Sequence, residues 1–384
     1  MARKTYPLKI GLVIATLVLS AADPGRTAAQ AASAPTFDEI AAVLAGLPGQ
    51  TPSLANVRAS AAWKLYSEAI EKSWSDLESK RLAPMRTWAD KELIRVRASS
   101  SFLFYPFGGP DFLTAFEFFP QSENFVLMGL EFCGRLPRFD LWTDRQSEAY
   151  LKNFSASLSD FFEKSYFITK HMDETIYGQA QVEGVLPLLC FFLKRTGHAV
   201  LNIERIEYDA EGKAVTIEYD QGKKIKRPYG LKVQFAAVGS AQVKSIVYIS
   251  CDLENKVFTP DSALFKQLGF LPSGLTTYMK SASYLPHYAT FTNIRDIVLD
   301  KSRFVLQDDT GIPYGVFKAK DWRILLYGEY AKPIKDFSGV DQPDLKETYD
   351  AGAGTIAKLP FHLGYHWRDN RDALILAEKK TEIR

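Results

Sequence analysis

Cysteine is scarce in this chain of 384 residues, with three in all: Cys133, Cys190 and Cys251. They lie far apart and are odd in number, which excludes a dense disulfide framework holding a small fold together. Each has apolar neighbours, so three buried thiols are expected, with a single bridge as the other reading. Catalytic signatures are also missing. No G-x-G-x-x-G, G-x-S-x-G or H-E-x-x-H occurs, and the nearest approach to a nucleophile elbow, Pro272-Ser273-Gly274, lacks the first glycine. A triad hydrolase therefore has little support. There is no internal repeat, low-complexity tract or evident linker. Nor is there an excess of one charge: 47 basic residues against 45 acidic ones leave a formal +2. That near-balance argues against nucleic acid or an anionic membrane surface as partner.

The N-terminus holds the only run that reads as an address. Arg3, Lys4 and Lys9 precede the apolar stretch Ile10–Ala22, and small residues follow. The stretch falls short of the roughly 20 apolar residues that span a bilayer. Residues 1–31 are read as a signal peptide, with cleavage after 31 or, alternatively, after 34, where Pro35 would occupy the first mature position. An uncleaved anchor is the competing reading. No cysteine lies nearby, so a lipoprotein anchor is excluded. Four basic residues and one acid leave with residues 1–34, and removing that +3 from the chain's +2 gives about −1. The expected address is periplasmic or secreted, with no stable membrane insertion once the signal is cleaved.

What the chain has in plenty is aromatic residues, 13% of the total, among them 26 Phe and 18 Tyr. A sizeable core can be built from them. Residues 35–94 show apolar positions at helical spacing and read as a helical N-terminal region. Residues 95–384 read as one large mixed α/β domain. Within it, Arg95–Gly134 gives strand, glycine-rich turn, helix and strand. Residues 143–173 and Gln179–Lys194 read as helices. From about 200 to 250 the period changes to two, with glycine-bearing turns, which predicts an inserted antiparallel β-meander. Lys223, Lys224, Lys226 and Arg227 cluster at one of its loops and read as a solvated loop rather than a polyanion site. Strands and helices alternate again beyond 260, with Thr276–Leu285 read as a strand interrupted by Lys280.

The candidate chemistry sits at strand ends, where α/β sheets meet ligands. The run Phe304–Gln307 stops at Asp308 and Asp309, followed by Thr310-Gly311. Side chains alternate along a strand, so one acid could face a pocket while the other caps the turn. A buried Lys280 needs an acid partner, for which Asp308 or Asp309 is the expected one. With His287 just beyond, these four are the candidate catalytic set. Asp111 and Glu131 also follow strand-like runs. Together with Tyr327 and His366 they are the candidate binding residues. Gly108-Gly109-Pro110-Asp111 departs from a nucleotide loop, because proline removes an amide a phosphate would need. No cofactor is expected. His362 and His366 share a metal-like spacing, yet Pro360 and Gly364 argue for a loop, and no metal site is assigned.

Tyr105-Pro106-Phe107, Lys280-Ser-Ala-Ser-Tyr-Leu285, Gln307-Asp-Asp-Thr-Gly-Ile-Pro313, Leu326-Tyr-Gly-Glu-Tyr330 and Leu359-Pro-Phe-His-Leu-Gly-Tyr-His366 give most of the mature chain its character. On these stretches it resembles a family of uncharacterised exported bacterial proteins. The resemblance implies export and carries no activity. Two functions are therefore expected to compete. One is a non-catalytic binding or structural protein of the cell envelope, with a saccharide or other envelope component as partner. The other is a hydrolase acting on such a polymer through an acidic pair at a strand end. Convergence of an acid, its partner and a cavity would favour the enzyme.

Overall fold

A computed structural model describes residues 34–167, 183–217 and 228–380. Residues 1–31 (the expected signal peptide), His171, the flanking ends of two expected helices and the basic cluster Lys223–Arg227 lie outside the described residues. Ala34–Arg384 forms one unit, built on a ten-stranded sheet in the order β4-β3-β5-β6-β2-β1-β7-β8-β10-β9. The strands are β1 (Phe102–Tyr105), β2 (Asn124–Gly129), β3 (His198–Tyr208), β4 (Ala214–Ile217) and β5 (Tyr229–Ala237). They continue with β6 (Lys244–Ser250), β7 (Leu275–Met279), β8 (Ser302–Gln307), β9 (Trp322–Gly328) and β10 (Ala373–Lys379). The mixed α/β class, the helical N-terminal region and the antiparallel run near the middle are all present. No helix among the described residues is long and apolar enough to cross a membrane.

Strands β6, β2, β1, β7 and β8 pair in parallel. Such strands are covered on both faces, which is why Phe102-Leu-Phe-Tyr105 and Phe125-Val-Leu-Met128 are apolar without interruption. The period of two then sorts their side chains between two cores. Leu103, Phe125, Tyr248, Phe304 and Leu374 join one core with the N-terminal helices. Phe104, Val126, Ile249 and Val305 join the other, against the helices Ala263–Gly269 and Thr292–Lys301. Antiparallel strands complete each side of this block. In the central run β5 returns beside β3, leaving short β4 on the edge. β6 then joins β2, so the antiparallel part and the parallel block share one sheet.

Local chemistry fixes the helix ends that matter for the site. Thr36 with Glu39, and Thr143 with Gln146, form capping boxes at the starts of Phe37–Leu44 and Asp144–Lys164. The long helix stops at Ser165, which takes a left-handed φ of 69°. Buried Arg81 donates to the last-turn carbonyls of Phe161 at 3.0 Å and Phe162 at 2.9 Å. Asp111 accepts from Thr114 N and so begins the helix Phe112–Phe118 between β1 and β2. All three cysteines are buried free thiols, as their apolar neighbours suggested.

Candidate functional site

The order β6-β2-β1-β7-β8 contains a reversal. The chain leaves β1 toward β2 on one side, and returns after β6 to lay β7 on the other. Between the carboxyl ends of β1 and β7 the two connections diverge, which opens a crevice. A cavity of about 570 Å³ lies there, lined by the loops after β1, β2, β6 and β7, together with Tyr166, Phe337 and Tyr365. The backbone around it is strained. Phe107 after β1, and Ser281 and Ser283 after β7, are non-glycine residues with left-handed φ of 62°, 51° and 52°. Such conformations cost on the order of 1–3 kcal/mol each and persist where surrounding structure enforces them.

Lys280 forms the floor. Strand β7 ends at Met279, so the lysine does not interrupt a strand; it is the first residue beyond one. Its Nζ is 2.7 Å from Asp111 Oδ2 and also donates to the carbonyl of Ser165, with the Phe161 ring centroid 5.7 Å away. The expected pairing with Asp308 or Asp309 is corrected here: the partner is Asp111. Residues from β1 and β7 meet because Leu103 and Thr276 are in register. Asp111 is further held by the Tyr105 hydroxyl at 3.1 Å and the Thr114 hydroxyl at 2.6 Å. Burial pulls the Lys280 ammonium below its ordinary pKa, and the Asp111 charge opposes that.

Glu131, beyond β2, lines the cavity too, and room for it is made by glycine. A Cβ at Gly129 would stand 2.5 Å from Glu131 Oε2, and one at Gly109 would stand 3.2 Å away. Tyr248 donates to the Glu131 carbonyl at 2.8 Å. Asp252 and Glu254 follow β6, and Asp336 stands at the rim. These three acids were missed in the sequence. Asp252 obeys the same strand-then-acid rule that singled out Asp111 and Glu131, so that signal was available for it. Aromatic faces supply the remaining wall. Tyr365 packs edge-on against Tyr166 at 4.9 Å and stacks on Phe337 at 5.2 Å, while Phe107 meets Phe291 at 5.9 Å.

Asp308 and Asp309 are buried behind this cavity and do not line it. Asp308 accepts from the Thr310 amide at 3.0 Å and from the Ser281 amide at 2.8 Å, while the Ala282 amide donates to the Thr310 hydroxyl at 2.7 Å. The turn after β8 thus holds the strained loop after β7. Asp309 accepts from the Tyr284 hydroxyl, and its carbonyl accepts from Gln342. Desolvation holds both carboxyls above the ordinary range, and Asp309 is raised further by its Asp308 neighbour. Asp372 plays a matching part on the other side. It accepts from the amides of Leu363, Gly364 and His366 at 2.9, 3.0 and 3.2 Å, shaping the loop that presents Tyr365.

The remaining candidates scatter. His287 packs on Tyr284 at 5.2 Å, and burial lowers its pKa to about 4. Tyr327 lies in the core with Trp88 at 5.0 Å. His366 reaches Asp372 through its backbone and does not line the cavity. His362, lowered to about 4 by burial and by the Arg81 and Lys280 charges, shares no metal-ligand group with it among the described residues. His198 packs against Phe116 at 4.9 Å and Phe235 at 5.2 Å. The structure therefore brings Lys280, Asp111 and Glu131 together, and leaves Asp308, Asp309, His287, Tyr327 and His366 outside the cavity. Against protein-family models, curated proteins and solved structures the chain finds no match.

Proposed function

We propose that this is an exported binding protein that holds a small organic molecule in the cavity between the ends of β1 and β7, without transforming it. The observation that carries the reading is the position of that cavity. It lies at the reversal of strand order, walled by loops whose non-glycine residues keep left-handed backbone. Its size falls within the range of cavities that enclose drug-sized ligands, roughly 300–1,000 Å³. A binding role needs shape, aromatic surface and a few oriented polar groups, and these are what line it. A hydrolase working through Asp308 and Asp309 is the less favoured reading, because neither lines the cavity: Asp308 accepts from two backbone amides and Asp309 from the Tyr284 hydroxyl. Asp111 is likewise engaged, by Lys280.

The test is a chemically diverse small-molecule library screened by thermal shift and by ligand-observed NMR, against the native chain and Ile334→Trp. Ile334 is a half-buried wall residue, and the larger ring would occupy the cavity. Compounds that bind the native chain and are lost in the variant support the reading. A screen with no such compounds, or with hits indifferent to Ile334→Trp, overturns it. Turnover of a hit would replace binding with catalysis.

A further inference from the structure

We infer that the ligand is an uncharged, polyhydroxylated molecule of saccharide type, anchored by one of its oxygens on Lys280 Nζ. This rests on the binding reading just given. An ammonium has three donors. Two are accounted for in Lys280, by Asp111 and by the Ser165 carbonyl. Among the described residues the third meets no oxygen or nitrogen acceptor, with only the Phe161 ring 5.7 Å away, although Lys280 is 2% exposed and lines the cavity. A buried donor without a partner is costly, so an acceptor oxygen brought in by a ligand is favoured.

The charge of that ligand follows from what surrounds the ammonium. Asp111 already neutralises Lys280, while Asp252, Glu254 and Asp336 line the same cavity, and among the described residues Lys280 is the one basic side chain in that lining. An anion placed on Lys280 would meet that negative surround. A simple cation would satisfy the acids and leave the third N–H of Lys280 bare. A polyol does both, its hydroxyls donating to carboxylates while a hydroxyl or ring oxygen accepts from Lys280. Tyr166, Phe337 and Tyr365, packed on one another, form an aromatic wall of the cavity against which a pyranose C–H face can pack.

Isothermal titration of the native chain with matched trisaccharides tests this. Maltotriose, cellotriose and chitotriose are the neutral probes, trigalacturonate the anionic one and triglucosamine the cationic one. The expected result is a neutral trisaccharide binding at least tenfold tighter than either charged one. Asp336→Asn, at an exposed rim position, should weaken it several-fold. In the double variant Lys280→Met with Asp111→Asn, which leaves no unpaired charge, affinity should fall at least tenfold. Should the double variant misfold, the backbone-independent readout is the ¹⁵Nζ resonance of Lys280 in the native chain, expected to shift on addition of the neutral sugar. Tightest binding by trigalacturonate or by triglucosamine overturns the inference, as does an unmoved Nζ resonance in a saturated complex. If no trisaccharide binds while library compounds occupy the cavity, the saccharide class falls and the binding reading stands. If the library also fails, both fall.

Discussion

The two strands that flank β7 in this sheet, β1 and β8, both lead into buried acids, and those acids have opposite fates. After β1, Asp111 meets Lys280 from β7 at the floor of an open cavity. After β8, Asp308 and Asp309 are sealed in a turn, and Asp308 holds the amides of Ser281 and Thr310. Both places combine burial with carboxylates raised or paired at the carboxyl end of a parallel strand. The difference is access, and it comes from topology. β1 and β7 flank the point where the strand order reverses, whereas β8 is followed by β10 lying antiparallel on it. A strand-end acid becomes a site where the connections part; elsewhere it becomes a brace for its neighbour.

The sharpest way to break that comparison is to remove the floor. Lys280→Met leaves Asp111 charged, buried and without its cation, and losing one partner of a buried pair costs on the order of 3–5 kcal/mol. Urea denaturation should show that loss, and Asp111→Asn in the same chain should restore most of it. If the single variant is as stable as the native chain, the pair is not the keystone of the cavity.

The sealed acids should appear instead in the pH dependence. Desolvation and the neighbouring Asp308 charge hold Asp309 well above the ordinary range, so it keeps its proton in the folded state to higher pH than an unfolded aspartate with pKa near 4. Its contribution is full below the unfolded value and is lost as pH rises through the folded one. His287 and His362, lowered to about 4, act in the opposite sense: they are neutral when folded, so they oppose folding only below about 6.5. Above about pH 6.5 these histidines no longer contribute, and stability should fall as pH rises through the titration of the Asp308–Asp309 pair, with a slope of up to about 1.4 kcal/mol per pH unit for one proton of difference. Asp309→Asn should flatten that slope. An unchanged slope would mean the carboxyl is ionised in its turn.

Much of this arrangement was written in local pattern. Uninterrupted apolar runs mark β1 and β2, alternation marks β3 and β5, and Thr36, Ser60 and Thr143 cap helices through their hydroxyls. Asp111 and Glu131 follow their strands and do line the cavity. What local pattern cannot carry is which strands are neighbours. Lys280 reads as the partner of Asp308 and Asp309 because they close the next strand in the chain, but β7 has two flanks, and on the other lies β1. Arg81, Asp372 and Tyr365 act through loops folded back over the sheet, and their sequence surroundings carry no sign of that. Tyr327 reads as well for a binding wall as for a core, and only its contact with Trp88 decides.

Strain offers a smaller test within the cavity itself. Ser281 holds φ at 51°, and its buried Oγ has no hydrogen-bond partner among the described residues. Glycine adopts that conformation freely, so Ser281→Gly should stabilise the chain by about 1 kcal/mol, the left-handed penalty less the entropy of a freer unfolded chain. A loss of stability would show that the hydroxyl, and not the brace from Asp308, keeps the loop in place.

Asp336→Asn sharpens the contrast from the opposite end. The residue is exposed at the rim and has no ion pair among the described residues, so its removal should leave stability within about 0.5 kcal/mol of the native chain. Each acid of the sealed turn is expected to behave otherwise, since its oxygens hold backbone amides or hydroxyls that would be left buried and unmet. Equilibrium unfolding of Asp336→Asn beside Asp308→Ala therefore separates the two classes of acid directly. A rim acid that proves as costly as the turn acid would mean that the cavity wall is held by its charges, and that the cavity is a by-product of folding rather than a place kept open for a ligand.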